Sequence, residues 1–124
     1  EPGLEEVDFG RWQGRTLASL AKLKAWRTVQ VAPSRFTFPD GEAFVDVQHR
    51  AVAAVEALAA EAGARDTVIA CSHADVIKLV LSHYLGQPFD LFQRIGVAPA
   101  SISVVAVVMK TTAHVVQING RHAP

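Results

Sequence analysis

A single cysteine, Cys71, occurs in the 124 residues. That excludes an internal disulfide and points to a reducing compartment, expected here to be the cytoplasm. Neither sign of charge dominates, since Lys plus Arg and Asp plus Glu each number 12. A balanced chain offers no electrostatic footprint for nucleic acid or for an anionic membrane. Long apolar runs are missing as well. The longest, Ile102 to Met109, is broken by Ser103 and is far too short to cross a bilayer. No basic stretch followed by an apolar one opens the chain, so no secretory signal is expected in it. The signatures of several enzyme classes are absent too. There is no G-x-S-x-G, and Ser72 has no recognisable elbow around it, so Ser–His catalysis is weakly supported. Neither common type of glycine-rich phosphate loop occurs. His49, His83, His114 and His122 lack metal-ligand spacing, so no metal and no cofactor is expected.

Half the residues are hydrophobic, which suits one globular domain with a real core. Glu1 to Gly14 reads as irregular, with Pro2, Gly3, Gly10 and Gly14 as breakers. Thr16 to Gln30 reads as a helix, with Thr16 as its cap or in its first turn. Val31 to Gly41 is a loop, given Pro33, Pro39 and Asp40-Gly41. Glu42 to Ala62 is the clearest helix. Phe44, Val47, Ala51, Val52, Val55 and Leu58 form its stripe, and Gly63 closes it. Leu91 to Ala100 is a loop or a short helical turn. Ile102–Met109 and His114–Ile118 alternate as two strands, expected to form a hairpin with Thr111-Thr112 in the connection. His114 belongs to that hairpin, and His122 to a tail expected to fray.

The most informative stretch is Thr67 to Lys78. An apolar run, Thr67 to Cys71, suits a parallel strand buried on both faces. After Ala74 the apolar residues fall at helical spacing, at Val76/Ile77, Val80/Leu81 and Tyr84/Leu85, and Gly86 ends the helix. His73 therefore stands where a strand's carboxyl end meets a helix amino end. Ligands of open α/β sheets bind at such places. Free N–H groups and the helix dipole favour an anion there, phosphate above all. Imidazole can act as a base, and imidazolium can hold a phosphoryl oxygen. The bland alternative is a histidine satisfied in a turn. Cys71, two positions earlier, reads as a small buried strand residue rather than a nucleophile. Glu5, Glu6 and Asp8 form an acidic cluster before Phe9-Gly10. It is either a solvated loop or the source of a general acid. Arg94 either pairs with a carboxylate structurally or touches substrate, the structural role being the safer reading.

Three strands for three long helices make a thin sheet. Another chain or a further N-terminal piece is expected to complete it. The chain opens with Glu rather than Met, which suits a processed or truncated product.

Three segments, in order and at matching spacing, resemble the histidine phosphatase superfamily, the phosphoglycerate mutase-like proteins. Leu4-Glu5-Glu6-Val7-Asp8-Phe9-Gly10-Arg11-Trp12-Gln13-Gly14 is similar to that family's L-x-E-x-x-F-G-x-W-E-G segment. Phe38-Pro39-Asp40-Gly41-Glu42 is similar to its F-P-G-G-E loop. Cys71-Ser72-His73-Ala74-Asp75-Val76-Ile77 is similar to its V-S-H-G-x-x-I segment. With Phe92-Gln93-Arg94-Ile95 and the closing hairpin, the resemblance spans nearly the whole chain. It is greatest to a bacterial branch of phosphomutases and phosphatases. The fold it implies is a three-layer α/β/α one, lacking here its N-terminal strand and neighbouring elements. Residues 1–124 would be the C-terminal portion of a single such domain.

In that family one histidine, in an R-H-G motif, attacks phosphorus and becomes phosphohistidine. A second histidine and arginines hold the phosphoryl oxygens, and a glutamate protonates the leaving alkoxide. The resemblance implies that His73 is the second histidine, Glu6 the proton donor and Ala74 part of the phosphate-binding turn. Two departures stand out. Ala74 replaces the usual glycine. No R-H-G occurs, nor the arginine of the family's S-P-L-x-R segment. Both would belong to a part preceding Glu1. The expected function is thus that of a phosphomonoesterase acting on a small phosphorylated metabolite. The chain alone is expected to be inactive and to need an N-terminal complement for activity, and an N-terminal complement or a swapped homodimer is the partner expected to complete the sheet. A non-catalytic scaffold of the same fold and a phosphoglycerate-type mutase are the alternatives.

Overall fold

The computed structural model describes residues 1–109 and 112–121. Its helices, in chain order, are α1 (Leu17–Leu20), α2 (Lys24–Val31), α3 (Phe44–Glu61) and α4 (Ala74–Leu85). Two strands follow, β1 (Ile102–Met109) and β2 (Thr112–Gly120). Short 3-10 turns at Pro2–Leu4, Gly10–Trp12, Pro33–Arg35 and Phe89–Arg94 fill the connections. The Thr111 part of the hairpin connection and the tail at His122 lie outside the described residues.

Helices α3 and α4 form where the apolar spacing places them. Phe44, Val47, Ala51, Val52 and Ala54 are buried on α3. Val76, Leu79, Val80 and Leu81 are buried on α4. The two helices pack together, and α4 also touches β2. Gly86 ends α4 at φ 62°, a left-handed cap that glycine adopts without a Cβ penalty. Gly63 plays no such part. Helix α3 stops at Glu61 with Ala62 extended, and the Gly63 N–H is taken by Asp66 Oδ2 at 2.7 Å.

An aromatic chain ties the front half to this helix pair. Phe36, Phe38, Phe44 and Phe92 follow one another with centroids 4.9–5.2 Å apart. Phe9 and Trp12 join it at Phe38, 5.1 and 5.3 Å away. Edge-on and tilted pairs of this kind add to the area they bury. They anchor the irregular first 14 residues against the Pro33–Gly41 loop and the start of α3.

Four expectations are corrected. The helix over 16–30 is broken into α1 and α2, with a turn at 21–23 between them. Thr16 does cap α1, its Oγ1 accepting the Ser19 N–H at 3.2 Å. The strand over 67–71 does not form. Among the described residues the sheet is two-stranded, β1 antiparallel to β2, with Val105 opposite Val115 and Ala106 opposite His114. Residues 67–71 carry no ladder bonds, and Val68 and Ile69 are 48% and 88% exposed. A strand exists only through a partner, and no described segment pairs with this one. For the same reason Cys71 is exposed, not buried. Arg94 is exposed, and no ion pair to it is seen among the described residues.

Candidate active site

His73 is the N-cap residue of α4, at φ −109° and ψ 157°. Its carbonyl accepts the Ile77 N–H at 2.9 Å, which opens the helix. Its side chain makes no capping bond. Among the described residues the N–H groups of the first turn point out of the helix with no side chain bonded to them, as an anion requires. Asp75 in that turn carries the same sign of charge as such an anion, but Lys78 Nζ lies 3.3 Å from its Oδ1 and Gln93 Nε2 donates to the same oxygen. Ala74 is the first helical residue, and its φ is not positive. Its methyl group therefore sits on an unstrained backbone. A cleft of about 190 Å³ adjoins this turn, between Ser72, Ala74 and Ile77 on one side and Val97–Ser101 on the other.

Glu6 reaches the same place from the far end of the sequence. Its Oε2 lies 3.4 Å from His73 Nδ1, and both side chains are about half exposed. Its Oε1 accepts the N–H of Val7 at 2.9 Å. When His73 is protonated this contact is an ion pair. Glu5, its neighbour, is exposed. Asp8 turns to local work: its Oδ1 accepts the Gly10 N–H and Gln13 Nε2 at 2.9 and 3.0 Å.

Two residues bring this about: Ser72, which the sequence offered only as a weak nucleophile, and Arg50, which sequence reasoning did not single out. Ser72 Oγ donates to the Leu4 carbonyl at 2.7 Å, across 68 positions, and so ties the Glu6 loop to the turn that carries His73. Arg50, on α3, spans the other side. Its Nε and Nη2 meet the two oxygens of Glu42 at 2.8 and 2.9 Å. The rest of its guanidinium donates to the carbonyls of Gly3, Glu5 and Glu6 at 2.8, 3.0 and 3.1 Å. Glu42 Oε2 also accepts the Asp8 N–H at 2.9 Å. The pair is about a quarter exposed on each side. The bond to Arg50 holds the Glu42 carboxyl below its usual range, against the opposing effect of burial. The same bond raises Arg50, with the nearby charges of Glu42, Glu5 and Glu6 adding to it. The one trace of Arg50 in the sequence is a cation adjoining the apolar stripe at Val47 and Ala51.

The loop fits α3 with no room to spare. A Cβ on Gly3 would come within 2.6 Å of Ala54 Cβ and 2.9 Å of the Arg50 carbonyl. Gly10, at φ 53°, and Gly41 let two backbone segments touch: a Cβ on Gly10 would strike the Pro39 carbonyl, and one on Gly41 the Asp8 carbonyl. Asp40 stands at φ 57°, a left-handed position that Asp tolerates better than most residues.

His49 and His83, on α3 and α4, are exposed and line a separate groove of about 300 Å³ with Asp46 and Gln48. No group of three or more metal-binding side chains is present among the described residues. No helix of the described residues is long and apolar enough to cross a membrane.

The profile of the histidine phosphatase superfamily (branch 1) matches residues 1–119. The chain belongs to that superfamily. None of the curated proteins matches it. Among solved structures it is similar to Bacillus stearothermophilus YhfR, at 25% identity and a TM-score of 0.86, covering 99% of this chain and 61% of that one. A mycobacterial glucosyl-3-phosphoglycerate phosphatase, solved with inorganic phosphate, matches at 23% identity and a TM-score of 0.77, over 97% of this chain and 63% of that one. The α-ribazole phosphatase from Shigella flexneri matches at 22% identity and a TM-score of 0.73, over 97% and 59%. The chain thus has part of the phosphoglycerate mutase-like α/β fold and spans about three fifths of these proteins' length.

Proposed function

We propose that this chain supplies the acid–base and phosphate-holding part of a phosphomonoesterase that works through a phosphohistidine. The observation that carries the reading is the 3.4 Å approach of Glu6 to His73 at the amino end of α4, from 67 positions apart in sequence. In this reading the first-turn N–H groups of α4 and the His73 imidazole hold the phosphoryl oxygens. A nucleophilic histidine forms the N–P bond as the ester P–O bond breaks. Glu6, as the carboxylic acid, gives its proton to the departing alkoxide oxygen. The phosphate is the neighbouring anion that favours a protonated carboxyl. In the second step Glu6, now a carboxylate, takes a proton from water as that water attacks phosphorus. Inorganic phosphate leaves and the histidine is restored.

The chain contains no R-H-G, so in this reading the nucleophile comes from a separate segment, an N-terminal complement. Without it the chain turns over no phosphomonoester. The substrate is a small phosphorylated metabolite in a reducing, cytoplasmic setting, and the source is bacterial.

Leaving groups test the reading. In a phosphatase-active protein containing this chain, Glu6→Gln should slow hydrolysis of alkyl phosphates by about a hundredfold or more. Aryl phosphates, which leave without a proton, should be affected far less. Equal losses for both, or none, would remove Glu6 from the role.

A further inference from the structure

We infer that Arg50 is a positioning residue for the proton donor, setting the Glu6 loop so that its carboxylate meets His73. The inference rests on the role proposed above for Glu6. It starts from donor accounting. A guanidinium has five N–H groups in a rigid fork. Arg50 makes five hydrogen bonds, two to Glu42 and three to the carbonyls of Gly3, Glu5 and Glu6. No donor is left over, and most of the set is spent on one loop.

The placement of those bonds matters more than their number. Among the described residues, Glu6 has no side-chain anchor apart from His73 and the N–H of its own neighbour, Val7. Its carboxylate therefore goes where its backbone is put. Arg50 holds the Glu6 carbonyl itself and the carbonyl before it. Glu42, fixed by Arg50, holds the N–H of Asp8 on the other side. The Glu6 backbone is thus gripped from both directions by one ion pair that joins α3 to the loop before it. Ser72 provides the complementary tie from the His73 turn through Leu4. Arg50 does not reach the reacting atoms and acts only through Glu6. A lysine keeps the charge, but it presents three donors from one point and cannot span the fork.

A displacement of about 1 Å in a catalytic group costs on the order of a hundredfold. Arg50→Lys should therefore lower kcat for alkyl phosphates by about ten- to a hundredfold, leave KM within about twofold, and spare aryl phosphates. It should copy the leaving-group pattern of Glu6→Gln, and Glu42→Gln should show the same pattern more weakly. Hydrogen exchange on the 124-residue chain supplies a readout independent of activity. Arg50→Lys should speed exchange in residues 3–8 by about tenfold or more while α4 stays protected. Equal loss on alkyl and aryl substrates, or unchanged exchange over residues 3–8, would overturn the inference and leave Arg50 as a structural ion pair. If Glu6→Gln shows no leaving-group pattern while Arg50→Lys still frees the loop, the acid role fails and the anchoring stands.

Discussion

Replacing Glu42 with glutamine isolates the frame on which the site is hung. Glu42 fills three acceptor roles: Oε1 takes Arg50 Nε, while Oε2 takes Arg50 Nη2 and the Asp8 N–H. Glutamine has one carbonyl oxygen. Its best orientation puts that oxygen in the Oε2 place, keeping two of the bonds. The amide NH2 then faces the Nε–H of Arg50, donor against donor. The change thus removes one charge-assisted bond, the charge attraction and a partner for a half-buried cation. A hydrogen bond to a charged group contributes about 1.5–3 kcal/mol. Exposed ion pairs contribute under about 1 kcal/mol, and breaking buried ones costs about 3–5. With a quarter of each side chain exposed, the loss should be about 2 kcal/mol. For a chain of this size that is roughly 8 °C in Tm. Urea unfolding followed by the fluorescence of Trp12 and Trp26 would measure it. The pH dependence gives a second check. The folded Glu42 carboxyl lies below its unfolded value, so the folded state binds its proton less readily. The stability it adds is present above the unfolded pKa and is lost as pH falls through the folded one. The gap between wild type and Glu42→Gln should therefore be full at pH 7 and close under acid conditions. A gap below about 0.5 kcal/mol at pH 7, or one that widens in acid, would refute the account of the frame.

The two left-handed glycines near the site should respond differently to alanine. Gly14→Ala, at φ 73° with no atom within 4 Å of the new Cβ, should cost only the backbone term, about 1–2 kcal/mol by chemical denaturation. Gly10→Ala adds a collision with the Pro39 carbonyl and with the backbone of Asp40 and Gly41, 2.7 Å away, and should cost at least about 3 kcal/mol or prevent folding. Equal costs at the two positions would mean that the Phe9–Trp12 segment does not lie against the Pro39–Gly41 loop.

Some of this was readable from residue order alone. Periodicity placed α3 and α4, because their stripes are regular and their ends are marked, α4 by Gly86 at φ 62°. The hairpin followed from alternation in Ile102–Met109. Residues 67–71 show where such reading stops. Their composition suits a buried strand, but strandedness belongs to a pair, and no described segment supplies the other member. The break between α1 and α2 was hidden because Leu20 and Leu23 continue a helical spacing through the turn. At the site, Glu6 and His73 were legible as ordered motifs. The means of joining them was not. Ser72 to Leu4 spans 68 positions, and Arg50 to Gly3 spans 47. Neither bond leaves a local pattern, because a hydroxyl and a guanidinium meeting backbone carbonyls place no demand on the identity of the residues they hold.

Locating inorganic phosphate crystallographically in a phosphatase-active protein containing this chain is the most direct test of the central claim. The account predicts phosphate on the first-turn N–H groups of α4, within hydrogen-bond distance of His73, with the Glu6 carboxyl on the same site. Phosphate bound elsewhere, with Glu6 and His73 directed away from it, would contradict the account.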